Sequence, residues 1–473
     1  MMVLLRRAWR AFWAASSVLD RWKGAPVLAL MLSLCAFDRI ATNLSVTLSV
    51  AKQVKRINPD AKLYWGVAKN LAEGNGFEDT VRNFEILPTV GHPGLMALAW
   101  SQFGWTPAQY TLFTTWLASA LLIWAVYRYS RSVLTTVAAL LLVREMLLGV
   151  RWLAGNVESS VMLATAVLVA ALVELYRQPR WLPWGILAGL AMALHLLVRP
   201  VFLFPVHLLT LLGIALWLVP KWRERWLPSR RGAFGAVMVA LLIAEGVVGG
   251  MRLYSEAEYG DSRLATGTYG AWPLYCANNP YVGPEEGDRK PKDEPGFMKR
   301  AKLVVPRYGG SIEIGWQARQ RLLLNDVLAY WREEPLRAFR GWWWRLSRFT
   351  GFNEQVAESR QRAVHAGSLV TLLILTGAGF LSRRPRWGMG TVVLAIFFCY
   401  AGIHSLFVWA GLRYVYHLFP LLAVGILFAA SDLLRPALAR APTHENDGEA
   451  ASDASLPPEP VGAILDDPQP HGF

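Results

Sequence analysis

Charge and sulfur are both scarce in this chain. Only 17% of its 473 residues are Asp, Glu, Lys or Arg, against 54% apolar, well below the ~25% charged share of soluble domains. A soluble fold has too little polar surface to cover that much apolar side chain. Three cysteines, Cys35, Cys276 and Cys399, give neither a disulfide framework nor a thiol-built metal knuckle. No glycine-rich phosphate cradle is found, and no basic and aromatic platform of the kind that holds nucleic acid. A cleavable signal peptide is also missing, because the first apolar stretch is too long for one and reads as an uncleaved anchor. Residues 441–473 lack Lys and Arg altogether while holding seven acids, so the remainder sets 48 basic against 27 acidic side chains, a net of +21.

What the chain does have is apolar blocks near the ~20 residues that a helix needs to cross ~30 Å of hydrocarbon. They lie at about 25–46, 107–127, 132–148, 157–175, 182–198, 200–219, 233–251, 366–382, 388–409 and 413–433. Basic clusters fall at alternate connections: Arg6, Arg7, Arg10, Arg21 and Lys23 before the first block, then 128–131, 176–180, 221–231 and 382–386. Lys and Arg are retained on the cytoplasmic side, so with ten spans all five clusters share that side. The expected fold is an all-α polytopic membrane protein with about ten transmembrane helices, interfacial helices in its first outer loop and a small periplasmic cap. Its parts are a cytoplasmic N-terminus (1–24), a bundle (25–251) whose first outer loop is 47–106, an outer cap (252–365), C-terminal spans (366–433) and a disordered cytoplasmic tail (434–473). The basic surplus reads mainly as topology and attraction to anionic lipid, and it also suits a substrate bearing phosphate.

Directly after the first block comes NPDAKLYWGVAKNLAEGNGF, at 58–77. Tyr64, Val67, Ala68 and Leu71 recur at helical spacing, Lys62, Lys69, Asn70 and Glu73 point elsewhere, and Gly74 and Gly76 end the helix. Such a helix belongs in the membrane interface with its apolar stripe toward lipid or bundle. Asp60 then stands near a membrane boundary, either as the helix N-cap or as a base. Helical stretches are expected at 316–331 and 335–344, and the run Trp342, Trp343 and Trp344 reads as an aromatic anchor at the interface.

Sugar transfer from a lipid phosphate needs a base on the acceptor hydroxyl and cations where phosphate charge develops. Asp60 fits the base, one helical turn before Tyr64. Glu158 opens the fourth block at the membrane edge, either as a solvated helix start favoured by the dipole or as a cavity acid. Asp38 and Arg39 read as a neutralising pair. Arg199, Arg252 and Arg413 stand at outer edges, where a guanidinium either snorkels or grips phosphate with its planar fork of donors. His404 and His417 flank the last loop, and neither they nor His92 show metal-ligand spacing.

In the order of these elements the chain resembles the C-type (GT-C) superfamily of membrane glycosyltransferases, which holds the dolichyl-phosphate-mannose-protein mannosyltransferases and the bacterial aminoarabinose transferases. Asp60, Tyr64 and the GNG at 74–76, followed by LPTVGHPG at 87–94, resemble the family's first outer loop. Glu158, LVRP at 197–200, Arg252, the NNP at 278–280 and RYVYHLFP at 413–420 resemble later elements; Leu253 replaces the family's Asn, the last element has altered spacing, and Arg340 and Arg345 stand near the place of a loop lysine. The resemblance implies inverting transfer of a sugar from a polyprenyl-phosphate donor to a lipid, glycan or protein acceptor outside the cytoplasm. It makes the chain a multi-pass enzyme of a bacterial inner membrane; from the residues themselves no cofactor, bound metal or nucleic-acid partner is expected. Asp60 would be the acceptor base with Glu158 beside it, and Tyr64, Arg199, Arg252, Asn278, Asn279, His404 and Arg413 would bind substrate. The rival readings are a flippase of lipid-linked sugars, against which the lack of an inverted repeat counts, and a noncatalytic membrane scaffold.

Overall fold

A computed structural model describes residues 18–37, 59–76, 89–147, 157–177, 181–219, 231–259, 272–280, 316–350, 359–381, 388–407 and 418–438. Among the described residues there are helices and no strands. We number the helices α1 (Ala25–Leu34), α2 (Pro59–Ala72), α3 (Gly91–Phe103), α4 (Pro107–Ser130), α5 (Val133–Leu147), α6 (Glu158–Arg177), α7 (Trp181–Val198), α8 (Leu203–Leu218), α9 (Arg231–Tyr259), α10 (Trp272–Ala277), α11 (Trp316–Glu333), α12 (Pro335–Phe349), α13 (Ser359–Leu381), α14 (Met389–Phe407) and α15 (Phe419–Leu438). A 3-10 turn, Pro200–Phe202, joins α7 to α8.

Six of these helices are long and apolar enough to cross a membrane: α4, α6, α7, Pro200–Leu218, the stretch Phe234–Ala257 of α9, and α14. The protein is therefore membrane-embedded and all-α. Shorter apolar stretches lie in α1, α13 and α15, and α5 runs for 15 residues; all four coincide with expected spans. The described part of the last span is α15 from Phe419, residues 413–417 lying outside the described residues, and the second cap helix runs on to Phe349.

Local chemistry accounts for the helix ends. At the start of α4, Thr106 and Gln109 form a capping box, the Gln109 amide N–H donating to Thr106 Oγ1 at 3.3 Å and the Thr106 N–H to Gln109 Oε1 at 2.8 Å, with Pro107 in the first turn. Gly104 closes α3 with φ of 65°, and Gly74 and Gly76 follow α2 with φ of 81° and 77°, conformations that cost glycine nothing.

Helices α4 and α6 run parallel, because Tyr110 meets Ser160 at one end and Arg128 meets Glu174 at the other. Helices α7 and α9 are parallel too: Gly185 lies on Ala236 and Gly189 on Ala240, the close backbone approach that small residues permit between membrane helices. Antiparallel α14 and α15 meet through Gly390 on Ala429 and Gly425 on Val393. Tyr129, Phe397, Tyr400, Phe419 and Phe428 fill the core between α4, α14 and α15.

The two ends of the bundle differ in kind. At the basic end, where Arg128, Arg131 and Arg177 lie, Arg128 grips Glu174 with two bonds of 2.5 and 2.7 Å, Tyr129 donates its hydroxyl to Asp432, Arg177 donates to the Arg128 carbonyl, and Asp20 accepts from the Val133 N–H at 2.8 Å. The opposite end carries α2, α3, the starts of α4 and α6, and the cap helices.

There α2 settles two open alternatives and corrects one expectation. Pro59 occupies the first helical position, which its fixed φ suits, so Asp60 stands inside the first turn and is not the N-cap. The apolar stripe packs inward: Ala68 is buried against Met96, Ala97 and Ala99 of α3 and Tyr110 of α4, with Tyr64, Trp65 and Leu71 beside them. Asn70, expected on the polar face, is buried, whereas Lys62 and Lys69 are exposed and the Lys69 ammonium lies 5.6 Å from both the Trp65 and Trp100 rings.

Candidate functional site

The Leu-Val-Arg-Pro segment fixes the centre of the site. Pro200 bars the helical conformation from the residue before it, so Arg199 is extended at φ −156° and ψ 109°. That bend ends α7 and turns the guanidinium into the bundle. Its Nη2 donates to Glu158 Oε1 at 3.2 Å and its Nη1 to the Tyr400 hydroxyl at 3.1 Å. Glu158 is the first residue of α6, where the exposed N–H groups and helix dipole favour a carboxylate. Both partners are nearly enclosed, with side-chain exposures of 13% for Arg199 and 10% for Glu158.

Glu158 has capacity left over. Its Oε2 is buried and makes no hydrogen bond among the described residues, and a buried charged oxygen without a donor is costly. A ligand hydroxyl would satisfy it.

Aromatic and imidazole rings wall the pair. His195, one turn before Arg199, packs its ring 4.7 Å from Phe202 and 6.0 Å from Tyr400. Tyr400 in turn stacks on His404 at 5.3 Å. Tyr64 lies within electrostatic reach of Arg199 and sets its ring edge-on to His92 at 4.9 Å.

Of the residues singled out in the sequence, Tyr64, Glu158, Arg199 and His404 therefore converge at one end of the bundle. Asp60 is in the first turn of α2, one helical turn before Tyr64 and on the same face; its side chain lies outside the described residues, as do Asp38, Arg39, Arg413 and His417. Arg252 is on the last turns of α9 at the same end, partly exposed, and no hydrogen bond or ion pair among the described residues joins it to Glu158 or Arg199.

Asn278 and Asn279 sit where the cap meets the bundle. Asn278 Nδ2 donates to the Leu406 carbonyl at 2.6 Å and the Leu274 carbonyl at 2.9 Å, while its Oδ1 accepts from Trp331 Nε1 at 3.1 Å and Arg345 Nη2 at 3.2 Å. Asn279 Nδ2 donates to the Tyr275 carbonyl at 2.8 Å. The tryptophan run behaves unlike a simple lipid anchor, since Trp342 Nε1 donates to the Gly402 carbonyl at 3.3 Å. Trp343 alone of the three is exposed.

Sequence reasoning passed over His195 and Tyr400 at this site. Each stands four residues before an expected site residue, Arg199 and His404, in an otherwise apolar helix, and that pairing on one face of a span was the available signal. Among the described residues no cluster of three or more His, Cys, Asp or Glu side chains could hold a metal ion. Set beside known proteins, the chain matches no family model, no curated protein and no solved structure.

Proposed function

We propose that this chain is a ten-span enzyme of a bacterial inner membrane that transfers a sugar, with inversion, from a polyprenyl-phosphate donor to a lipid, glycan or protein acceptor outside the cytoplasm. The observation that carries the reading is the buried Glu158–Arg199 pair with its unused carboxylate oxygen, set at the bundle end opposite the basic loops. Helices α1, α5, α13 and α15 complete the ten spans beside the six long ones, and residues 252–365 then face the periplasm.

In this reading Asp60 takes the proton of the acceptor hydroxyl while that oxygen attacks the anomeric carbon from the face opposite the phosphate. The new carbon–oxygen bond forms as the bond to phosphate breaks, and the polyprenyl phosphate departs as an anion. Arg199, supported by Arg252 and Arg413, neutralises the charge on the departing oxygens. Glu158 holds the Arg199 fork with one oxygen and accepts a sugar hydroxyl with the other. The rings of Tyr64, His195, Tyr400 and His404 wall the pocket against water.

The test is purified protein in lipid nanodiscs, given a radiolabelled polyprenyl-phosphate sugar and a membrane extract as acceptor source. Labelled acceptor is expected from the unaltered chain and a loss of at least ~10²-fold from Asp60→Asn. Normal transfer by Asp60→Asn would reject the base. Movement of the lipid-linked sugar across sealed vesicles, with no acceptor labelled, would replace the enzyme by a flippase.

A further inference from the structure

We infer that the short turn Thr89–His92, ahead of and within the start of α3, is a positioning device that sets Tyr64 against Glu158 and Arg199. The three residues of the site arise on separate helices, α2, α6 and the end of α7, and this turn touches all of them.

Toward α7 the contact is with the backbone. Thr89 Oγ1 donates to the Val198 carbonyl at 2.6 Å, one residue before Arg199. Gly91 lies so close behind it that a Cβ there would be 2.7 Å from the Leu197 carbonyl carbon and 2.8 Å from the Val198 nitrogen. Neither of those main-chain atoms can swing aside. Toward α6, the fully buried His92 shares a 2.8 Å hydrogen bond between its Nδ1 and Ser160 Oγ, two residues beyond Glu158. Ser160 Oγ is also bonded to the Tyr110 hydroxyl at 2.6 Å, which ties the start of α4 into the same chain. Toward α2, the His92 and Tyr64 rings meet in a T-shaped contact with centroids 4.9 Å apart. One residue of small size and one imidazole therefore define both the separation and the angle of three elements that have no sequence proximity.

The geometric claim stands apart from any chemistry; its catalytic consequence rests on the proposed sugar transfer. Spin labels at exposed Lys62 on α2 and Leu253 on α9, the helix packed along α7, in a Cys35→Ser, Cys276→Ser, Cys399→Ser background, read the distance across the turn by pulsed EPR in nanodiscs. Gly91→Ala is expected to shift or broaden the distance distribution. Gly94→Ala, on the same helix with open space around its Cβ, is expected to leave it unchanged. Identical distributions for both variants would overturn the inference whether or not the chain transfers sugar.

Should Gly91→Ala fail to fold, His92→Phe serves instead, since it keeps a ring of similar volume and loses the bond to Ser160. It is expected to broaden the distribution and to lower kcat on the order of 10²-fold with donor KM little changed. His92→Asn, whose amide stands where Nδ1 does but which lacks the ring against Tyr64, is expected to restore part of both. A His92→Phe variant with parental distances, or one that His92→Asn fails to rescue, would overturn the role assigned to His92.

Discussion

Arg345 of the cap donates from Nε to the backbone carbonyl of Ser405 at 2.8 Å, and it does so as a cation only 2% exposed. Its second bond goes to Asn278 Oδ1, so among the described residues both acceptors are neutral. The compensation comes from carbonyls near the C-terminal end of α14, toward the negative pole of its helix dipole. Burial pushes the guanidinium down to about 10, which leaves it charged near neutral pH.

Arg345→Ala should therefore cost about 2–3 kcal/mol, the scale of a hydrogen bond to a charged group, because it takes a donor from both the Ser405 carbonyl and Asn278. Thermal unfolding in detergent measures it. Arg345→Lys should recover part of the loss, as a point charge still meets one carbonyl; an alanine variant as stable as the parent would show that the cap does not depend on this contact.

Glu158 and Arg199 are coupled through burial. Removing either alone strands the other charge in an enclosed site, at roughly 3–5 kcal/mol. Glu158→Ala with Arg199→Ala together should cost clearly less than the two single effects added, by about 1 kcal/mol or more. Strict additivity in unfolding measurements would mean that the two charges do not feel each other.

The seam between α7 and α9 should discriminate sharply between glycines. A Cβ on Gly189 would come within 2.8 Å of the Ala240 carbonyl oxygen, whereas one on Gly249 meets nothing within 4 Å. Gly189→Ala is expected to lose about 1–3 kcal/mol by overpacking, and Gly249→Ala to lose none. Equal stability of the two variants would contradict the close approach.

Sidedness can be read with single cysteines placed on a cysteine-free chain. Arg131, exposed at the basic end, and Glu256, exposed near the far end of α9, should behave oppositely toward an impermeant maleimide applied to intact cells. Glu256→Cys is expected to react and Arg131→Cys to react only after permeabilisation. The reverse pattern would invert the topology and place the Glu158 pocket on the cytoplasmic side.

Much of the helical framework was legible because membrane burial imposes one strong rule, an unbroken apolar run of spanning length. Six helices satisfy it outright. Glu158 and Arg199 could be picked out for the same reason, as ionisable groups at the edge of apolar helices. What could not be read was which way the side chains between those edges face. Asn70 looked solvated and is buried, and the stripe from Tyr64 to Leu71, left open between lipid and bundle, packs on α3. The Trp342 run looked like an interface anchor, yet Trp342 bonds a backbone carbonyl next to a buried arginine that shares its helix. Each of these depends on a contact with another element, and local spacing carries no record of such a neighbour.

The cross-ties at the basic end set the mechanical character of the molecule. Opening a passage there for a sugar headgroup would require parting the two-bonded Arg128–Glu174 pair and the Tyr129–Asp432 contact together, with the Asp20 link from the segment before α1 to α5 close by. A transporter that alternates its access needs that end to yield on every cycle. Under the proposed sugar transfer the basic end has no passage to open, which places any motion at the opposite rim.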